Sequence, residues 1–193
     1  MNIMSLIDAG QDSQALSDYD TLLAAYGGHA NIDSAIFCIG EAYYNRAVQH
    51  ESNKDPESEA IADFTRAVSV LQVIFEQLPH TGLTNYAYYL TADSSKEIGR
   101  YEEAAGYYEN AIEYYEDAVE SYAEVSDVQN FEYAWNAQFM TGRIYEKLVK
   151  SGSMSESEAD PLIRTAYETL LEKYPNCKAA KTASNWLNNH NSK

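Results

Sequence analysis

The residues that most often hold a metal ion or act as nucleophiles are sparse in this sequence. It has four histidines, all separated from one another: His29, His50, His80 and His190. None of them has a second histidine or a cysteine four residues away, which is the helical spacing of a zinc site. The two cysteines, Cys38 and Cys177, follow no metal-binding or redox spacing. The sequence therefore predicts surface histidines, small buried cysteines with free thiols, and no metal or cofactor.

Carboxylates are the abundant reactive group, with 30 Asp and Glu residues against 13 Lys and Arg. Two facing carboxyls can cleave a glycosidic bond, but one of them must be buried with a raised pKa. At this abundance, nearby pairs arise by chance. No glycine-rich phosphate loop or nucleophile elbow is found, and Gly27 and Gly28 are interpreted as a helix stop. We expect a protein that is not an enzyme, with a helical glycan hydrolase as the alternative.

The net charge restricts the class of partner. The formal charge is −17 at pH 7, with an isoelectric point near 4.4. Nucleic acids and anionic membranes are bound through clustered Lys and Arg, so the charge disfavours both. The first residues have no basic and apolar signal pattern, and no apolar run is long enough to span a membrane. We expect a cytoplasmic protein for the chain as given, or an exported or periplasmic one if it is part of a longer protein.

Apolar residues recur every three or four positions along most of the chain, which predicts an all-α fold. Four segments share one set of apolar offsets: Ala15, Tyr19, Leu22, Leu23, Tyr26; Ala67, Leu71, Ile74, Phe75, Leu78; Ala111, Tyr115, Ala118, Val119, Tyr122; and Ile163, Tyr167, Leu170, Leu171, Tyr174. Each segment is followed by a break, at Gly27, Pro79, residues 126–130 and Pro175. The unit that repeats is therefore a helix with a fixed buried face.

A second helix follows each break, and the two form a hairpin. In three of the four cases, the first small residue of this second helix comes nine positions after the last residue of the apolar set before it, at Ala35, Ala87 and Ala183. One hairpin cannot bury its apolar face alone, so consecutive hairpins must stack. We expect a single domain over residues 1–193, with approximate blocks 1–28, 29–79, 80–125 and 126–175 and a capping helix at 176–193. We also expect one continuous apolar stripe over 99–125, opposite a solvated acidic face.

The segment from Tyr86 to Ala118 resembles the tetratricopeptide repeat family. Tyr88 stands at the usual aromatic position and Ala92 at the usual small position, and "EIGRYEEA" supplies Gly99, Tyr101 and Ala104. The resemblance implies a right-handed α-solenoid of stacked antiparallel helix hairpins. "EQLPHTGLTNYAYYLTA" and "EKYPNCKAAKTASNWL" resemble the long-helix bacterial branch seen in outer-membrane assembly lipoproteins and the Tol-Pal coordinating protein. That branch implies a second role, as an architectural spacer of a larger envelope or exported assembly.

In such a solenoid the first helix of each hairpin lines a concave groove. The aligned positions give a predicted binding surface of nine residues: Phe37, Glu41, Tyr44, Tyr86, Tyr89, Asp93, Lys96, Phe139 and Arg143. Aromatic and charged side chains together suit an extended peptide or a partner helix. The sequence thus favours a non-catalytic interaction module or scaffold whose protein partner carries basic residues, without nucleic acid or direct membrane insertion. The competing interpretation is that Phe37, Tyr89 and Phe139 belong to the core between repeats.

Overall fold

The computed structural model describes residues 2–78 and 81–190, and within them the regular secondary structure is helical. The helices are α1 (Ile3–Asp8), α2 (Asp12–Tyr26), α3 (Ile32–Asn53), α4 (Glu57–Gln77), α5 (Thr84–Ala104), α6 (Tyr108–Ser126), α7 (Ala134–Ser151), α8 (Glu156–Lys173) and α9 (Ala180–His190). The predicted all-α class is confirmed. Pro79 and His80, for which a helix break and a surface histidine were expected, lie outside the described residues.

The helices pack in chain order, from α3 on α4 through α8 on α9. The pairs α3–α4, α5–α6 and α7–α8 form three antiparallel hairpins, α1 packs on α2 and α3 before them, and α9 follows. Three hydrophobic clusters follow one another along this array, and a fourth lies at the opposite ends of α3, α4 and α5 from the first. The architecture is therefore the predicted α-solenoid. No helix in the described part of the chain is long and apolar enough to cross a bilayer.

The repeated apolar set occupies the same buried position in each unit. Its first two residues are buried in all four helices, for example Ala111 and Tyr115 in α6. Tyr26 is the exception, at 51% exposed, because it ends α2 and contacts His29 instead of the core. The small residues of the facing helices allow close approach. A Cβ on Gly142 would lie 2.5 Å from the ring of Tyr167, so only glycine fits there without displacing the ring.

The predicted continuous apolar stripe over residues 99–125 is wrong, because this segment contains parts of two helices. Helix α5 ends at Ala104 and α6 begins at Tyr108, with Gly106 between them at φ +87°. The N–H groups of Gly106 and Tyr107 donate to the carbonyls of Glu103 and Glu102, which is the Schellman arrangement at a helix C-terminus. Glycine adopts this left-handed conformation without a steric penalty. The segment is thus the turn of a hairpin, with Ala104 and Tyr108 exposed at its tip.

Both cysteines are free thiols, as predicted, but the expected burial is wrong for Cys38. Helix α3 turns Ile36, Ile39 and Tyr43 towards the core. Cys38 lies between these positions and is exposed, whereas Cys177 is partly buried. The pattern of buried isoleucines on α3 places Cys38 on the outward face.

Buried tyrosines join the helices by donating hydrogen bonds to carboxylates. Tyr122 donates to Asp93 at 2.7 Å and Tyr115 to Glu103 at 2.9 Å, both from α6 to α5. Tyr44 of α3 also donates to Asp93, at 2.8 Å, and Tyr167 of α8 donates to Glu146 of α7. Burial, and then the accepting carboxylate, raises the pKa of each of these phenols. The phenols therefore stay protonated in the fold at pH values where free tyrosine ionises.

These raised pKa values predict that the fold loses stability in alkaline solution. Above about pH 10 the unfolded chain releases its phenol protons while the folded chain retains them, so stability falls as the pH rises further. Urea unfolding at about pH 8 and about pH 11 should show the fall. Tyr115→Phe should show a shallower decline, because it removes one of the shifted phenols. An equal decline in both proteins would contradict the assignment to these hydrogen bonds.

Candidate functional site

A cleft of about 480 Å³ lies between the N-terminal halves of α3 and α5. Six of the nine residues predicted from the sequence line it: Phe37, Glu41, Tyr44, Tyr86, Tyr89 and Asp93. Leu83, Leu90 and Tyr133 complete the lining. The two helices run side by side here because α4 packs against both of them. The cleft therefore combines aromatic, aliphatic and acidic side chains, and we call it the aromatic cleft.

The rings of the aromatic cleft contact one another edge-on and face-on. Tyr86 meets Phe37 edge-on at a centroid distance of 6.3 Å and Phe131 at 5.1 Å. Tyr89 stacks on Tyr133 at 4.8 Å, with 23° between the ring planes. Phe131 and Tyr133 come from the connection before α7, and the sequence analysis missed them. The extra length of that connection was the feature of the sequence that could have indicated these two residues. The connection supplies both rings to the preceding hairpin.

Asp93 is the central charged residue of the aromatic cleft. Its carboxylate accepts hydrogen bonds from Tyr44, from Tyr122 and from Lys96, whose Nζ lies 2.5 Å from Oδ1. Burial alone would raise the pKa of Asp93, but the Lys96 ammonium and the three hydrogen bonds outweigh it and lower that pKa. Asp93 is therefore ionised, and its carboxylate accepts hydrogen bonds from three donors. Glu41, by contrast, is exposed and has no ion-pair partner within residues 2–78 and 81–190.

Lys96 and Arg143, also predicted from the sequence, line a second cleft of about 510 Å³ between α5 and α7. Its charged lining comprises five bases and three acids: Lys96, Arg100, Arg143, Lys147 and Lys150, with Glu97, Glu103 and Glu146. Arg143 pairs with Glu146 at 2.6 Å and Lys147 with Glu103 at 2.8 Å. This basic cleft thus has a local positive surplus in a chain whose net charge is −17. The Asp93–Lys96 ion pair connects the two clefts along α5.

Phe139 does not reach either cleft, which corrects the expectation of one continuous row with Phe37 and Tyr89. It stacks on Tyr167 of α8 at 5.8 Å, within the cluster formed by α7, α8 and α9. Tyr89 similarly contacts Tyr122 of α6 at 5.9 Å and is 9% exposed. Phe139 and Tyr89 hold the same position in their hairpins, and each ring contacts the second helix of its own hairpin. Phe139 therefore belongs to the hydrophobic core, and most of the Tyr89 side chain does as well.

Asp117 of α6 is a carboxylate with a raised pKa, first because of partial burial and then because of Glu120 and Glu113. All three are exposed on the same face of α6, rather than on opposite sides of a cleft. Hydrolysis of a glycosidic bond needs two carboxyls that flank the bond. These three carboxylates therefore lack the arrangement that this hydrolysis needs.

Fold and clefts together define a helical-repeat protein built from stacked hairpins. Residues 86–124 match the model of the tetratricopeptide repeat family, and the resemblance inferred from the sequence is confirmed there. The match covers the α5–α6 hairpin and includes four of the predicted binding residues, Tyr86, Tyr89, Asp93 and Lys96. Comparison with curated proteins gives no significant match. The closer resemblance to the bacterial envelope branch stays a prediction.

Proposed function

We propose that the chain is a non-catalytic interaction module that binds an extended or helical segment of a partner protein in the aromatic cleft. Stacked hairpins of this family typically present a concave surface to protein partners. The observation that supports the proposal is the grouping of Phe37, Tyr86 and Tyr133 around one opening, beside the exposed carboxylate of Glu41. Such an opening suits an apolar side chain next to a cationic one.

The apolar contribution would come from rings that are still accessible. Tyr133 is 40% exposed, and Phe37 and Tyr86 are partly exposed. An apolar side chain of the partner would be removed from water against these three rings. Buried aromatic contacts at the centre of an interface usually dominate its affinity. Tyr133 is thus the proposed anchor of the aromatic cleft.

The charge of the cleft favours a Lys or Arg in the same segment. Asp93 already accepts from three donors, so a cationic side chain would pair with Glu41 or with Glu132, which accepts from the Tyr86 hydroxyl at 3.3 Å. Both glutamates are exposed, so added salt should weaken this part of the binding. The apolar part should persist in salt.

A selected peptide ligand provides the test. Peptides selected for binding from a random library should carry an aromatic or aliphatic residue close to a Lys or Arg. Tyr133→Ala should weaken the tightest of them by more than about 1 kcal/mol, roughly fivefold in Kd, because it removes the exposed ring. Glu41→Lys should weaken binding as well, most strongly at low salt. Fluorescence anisotropy would measure both effects.

Tyr107→Ala is the matched control, since Tyr107 is 62% exposed at the α5–α6 turn and does not line the aromatic cleft. It should bind as the unsubstituted chain does. Tyr133 is preferred to Tyr89 because Tyr89 is buried and its loss would leave a cavity. Unchanged affinity in folded Tyr133→Ala and Glu41→Lys would contradict the proposal.

An architectural spacer is the second candidate. The observation that favours it is the packing of Phe139 and Tyr89 within their own hairpins, which takes two of the predicted rings out of any groove. A spacer would yield no library peptides that compete for the aromatic cleft. The same selection therefore separates the two functions.

A further inference from the structure

The connection between α3 and α4 brings one imidazole and two carboxylates together at the outer end of the first full hairpin. His50 Nδ1 lies 2.9 Å from Asp55 Oδ2 and 3.5 Å from Glu59 Oε2. One ligand atom from each of the three residues lies within 4.8 Å of the other two. Three ligands around a tetrahedral zinc ion, each about 2.1 Å from it, lie about 3.4 Å from one another. Small side-chain movements would therefore let one ion contact all three.

The backbone fixes these side chains at the ends of two helices. Helix α3 ends with Lys54 in the left-handed conformation, at φ 61°, and the N–H of Asp55 donates to the carbonyl of His50 at 3.0 Å. Pro56 follows, and Glu59 lies in the first turn of α4. The chain reversal thus returns Asp55 and Glu59 to the histidine. A ligand search at four-residue spacing misses them, because they follow His50 by five and nine positions.

The far side of the imidazole contacts a fixed carboxylate. His50 Nε2 lies 3.3 Å from Asp63 Oδ2, and Asp63 is 1% exposed. Arg46 and Arg66 both donate to Asp63 and hold it in place. Metal-binding histidines commonly donate their second ring N–H to such a carboxylate, which orients the ring and leaves the other nitrogen free for the ion. In this structure Asp63 lies on the Nε2 side of the ring, and Nδ1 faces Asp55 and Glu59.

We propose that His50, Asp55 and Glu59 bind a divalent transition-metal ion, with Asp63 orienting the histidine. Imidazole with carboxylates suits zinc or another first-row ion, whereas calcium and magnesium prefer oxygen ligands alone. Glu59 is 54% exposed, so solvent has access to the remaining coordination positions. Around the site, Arg46 and Arg66 form ion pairs with Asp12 and Asp63, which balance their positive charges. The negative charges of Asp55 and Glu59 are therefore available to attract the metal ion. Without a metal, the same geometry is a hydrogen-bonded contact between His50 Nδ1 and Asp55.

Calorimetric titration of untagged, chelator-treated chain with zinc chloride tests the proposal. One ion per chain is expected to bind, and zinc should raise the unfolding temperature in proportion to the logarithm of its concentration. His50→Gln, Asp55→Asn and Glu59→Gln should each reduce the affinity at least tenfold. Circular dichroism would confirm that each variant is folded.

Glu57→Gln is the matched control, because Glu57 is an exposed carboxylate in the same turn and outside the cluster. It should bind zinc as tightly as the unsubstituted chain. The proposal is overturned if the chain binds no zinc at micromolar concentrations. It is also overturned if Glu57→Gln loses as much affinity as Glu59→Gln, or if magnesium and calcium bind as well as zinc and His50→Gln changes nothing.

Discussion

Asp63→Ala is expected to destabilise the chain by about 3–5 kcal/mol, the range for breaking a buried ion pair. Arg46 of α3 donates twice to Asp63 of α4, with both bonds at 2.6 Å, and once to Asp12 of α2. The same guanidinium donates to the carbonyl of Ile7, near the end of α1. One side chain thus joins four helices. Arginine keeps its proton in proteins, so the Arg46 guanidinium stays charged when Asp63 is removed.

Urea unfolding in the presence of a chelator would measure this loss without any contribution from bound metal. Asp20→Ala is the control, because Asp20 is exposed on α2, and it should change stability by less than about 0.5 kcal/mol. Adding Arg46→Met to Asp63→Ala should recover part of the loss, since it removes the stranded charge. A double variant no more stable than Asp63→Ala alone would contradict this explanation.

Ala111→Glu is also expected to destabilise by about 3–5 kcal/mol, because it places an uncompensated carboxylate in the core. Ala111 is 3% exposed where α6 meets α5. A Cβ added to Gly99 of α5 would lie 3.2 Å from the Ala111 carbonyl, so the two backbones have no room for a longer side chain. In a chain of this length the loss corresponds to a fall of about 2–4 °C in Tm per kcal/mol.

Glu113→Ala provides the comparison from the solvated face of the same helix. Glu113 is exposed and lies four residues from Glu109 and from Asp117, so its removal relieves repulsion of about 0.2–0.5 kcal/mol. Its Tm should therefore stay unchanged or rise slightly. Similar falls in Tm for both substitutions would show that the register of α6 is assigned incorrectly.

The sequence was sufficient to assign the buried face of each helix. Residues such as Ala67, Ala111 and Tyr167 recur at one offset, and the structure buries all of them. The periodicity predicts this correctly because each helix has one stripe that must leave water. Gly40 and Gly142 are close-packing positions, since the facing side chain leaves no space for a Cβ.

Chain reversals and contacts between separate segments could not be predicted from the periodicity of apolar residues. Ala104 and Tyr108 are four residues apart, so they matched a helical stripe although Gly106 reverses the chain between them. Tyr133 enters the aromatic cleft, and Phe131 packs on Tyr86 beside it, from a connection that has no periodic pattern. The Phe139 ring stacks on Tyr167 of the next helix. The last two outcomes depend on contacts between separate segments, and the first depends on a single glycine.

The hydrogen bonds from tyrosine to carboxylate also explain how this chain tolerates its composition. A carboxylate taken out of water needs a donor, and a Lys or Arg donor would cancel its charge. With 13 such bases for 30 acids, the chain has too few cations to serve every acid, but it has 17 tyrosines. Glu103, Asp93 and Glu146 each pair with one base and also accept from a tyrosine, so the phenols of Tyr115, Tyr122 and Tyr167 supply a second donor that adds no positive charge. Copies of the protein therefore keep a strong mutual repulsion that discourages self-association, while each interior stays fully hydrogen-bonded at these contacts.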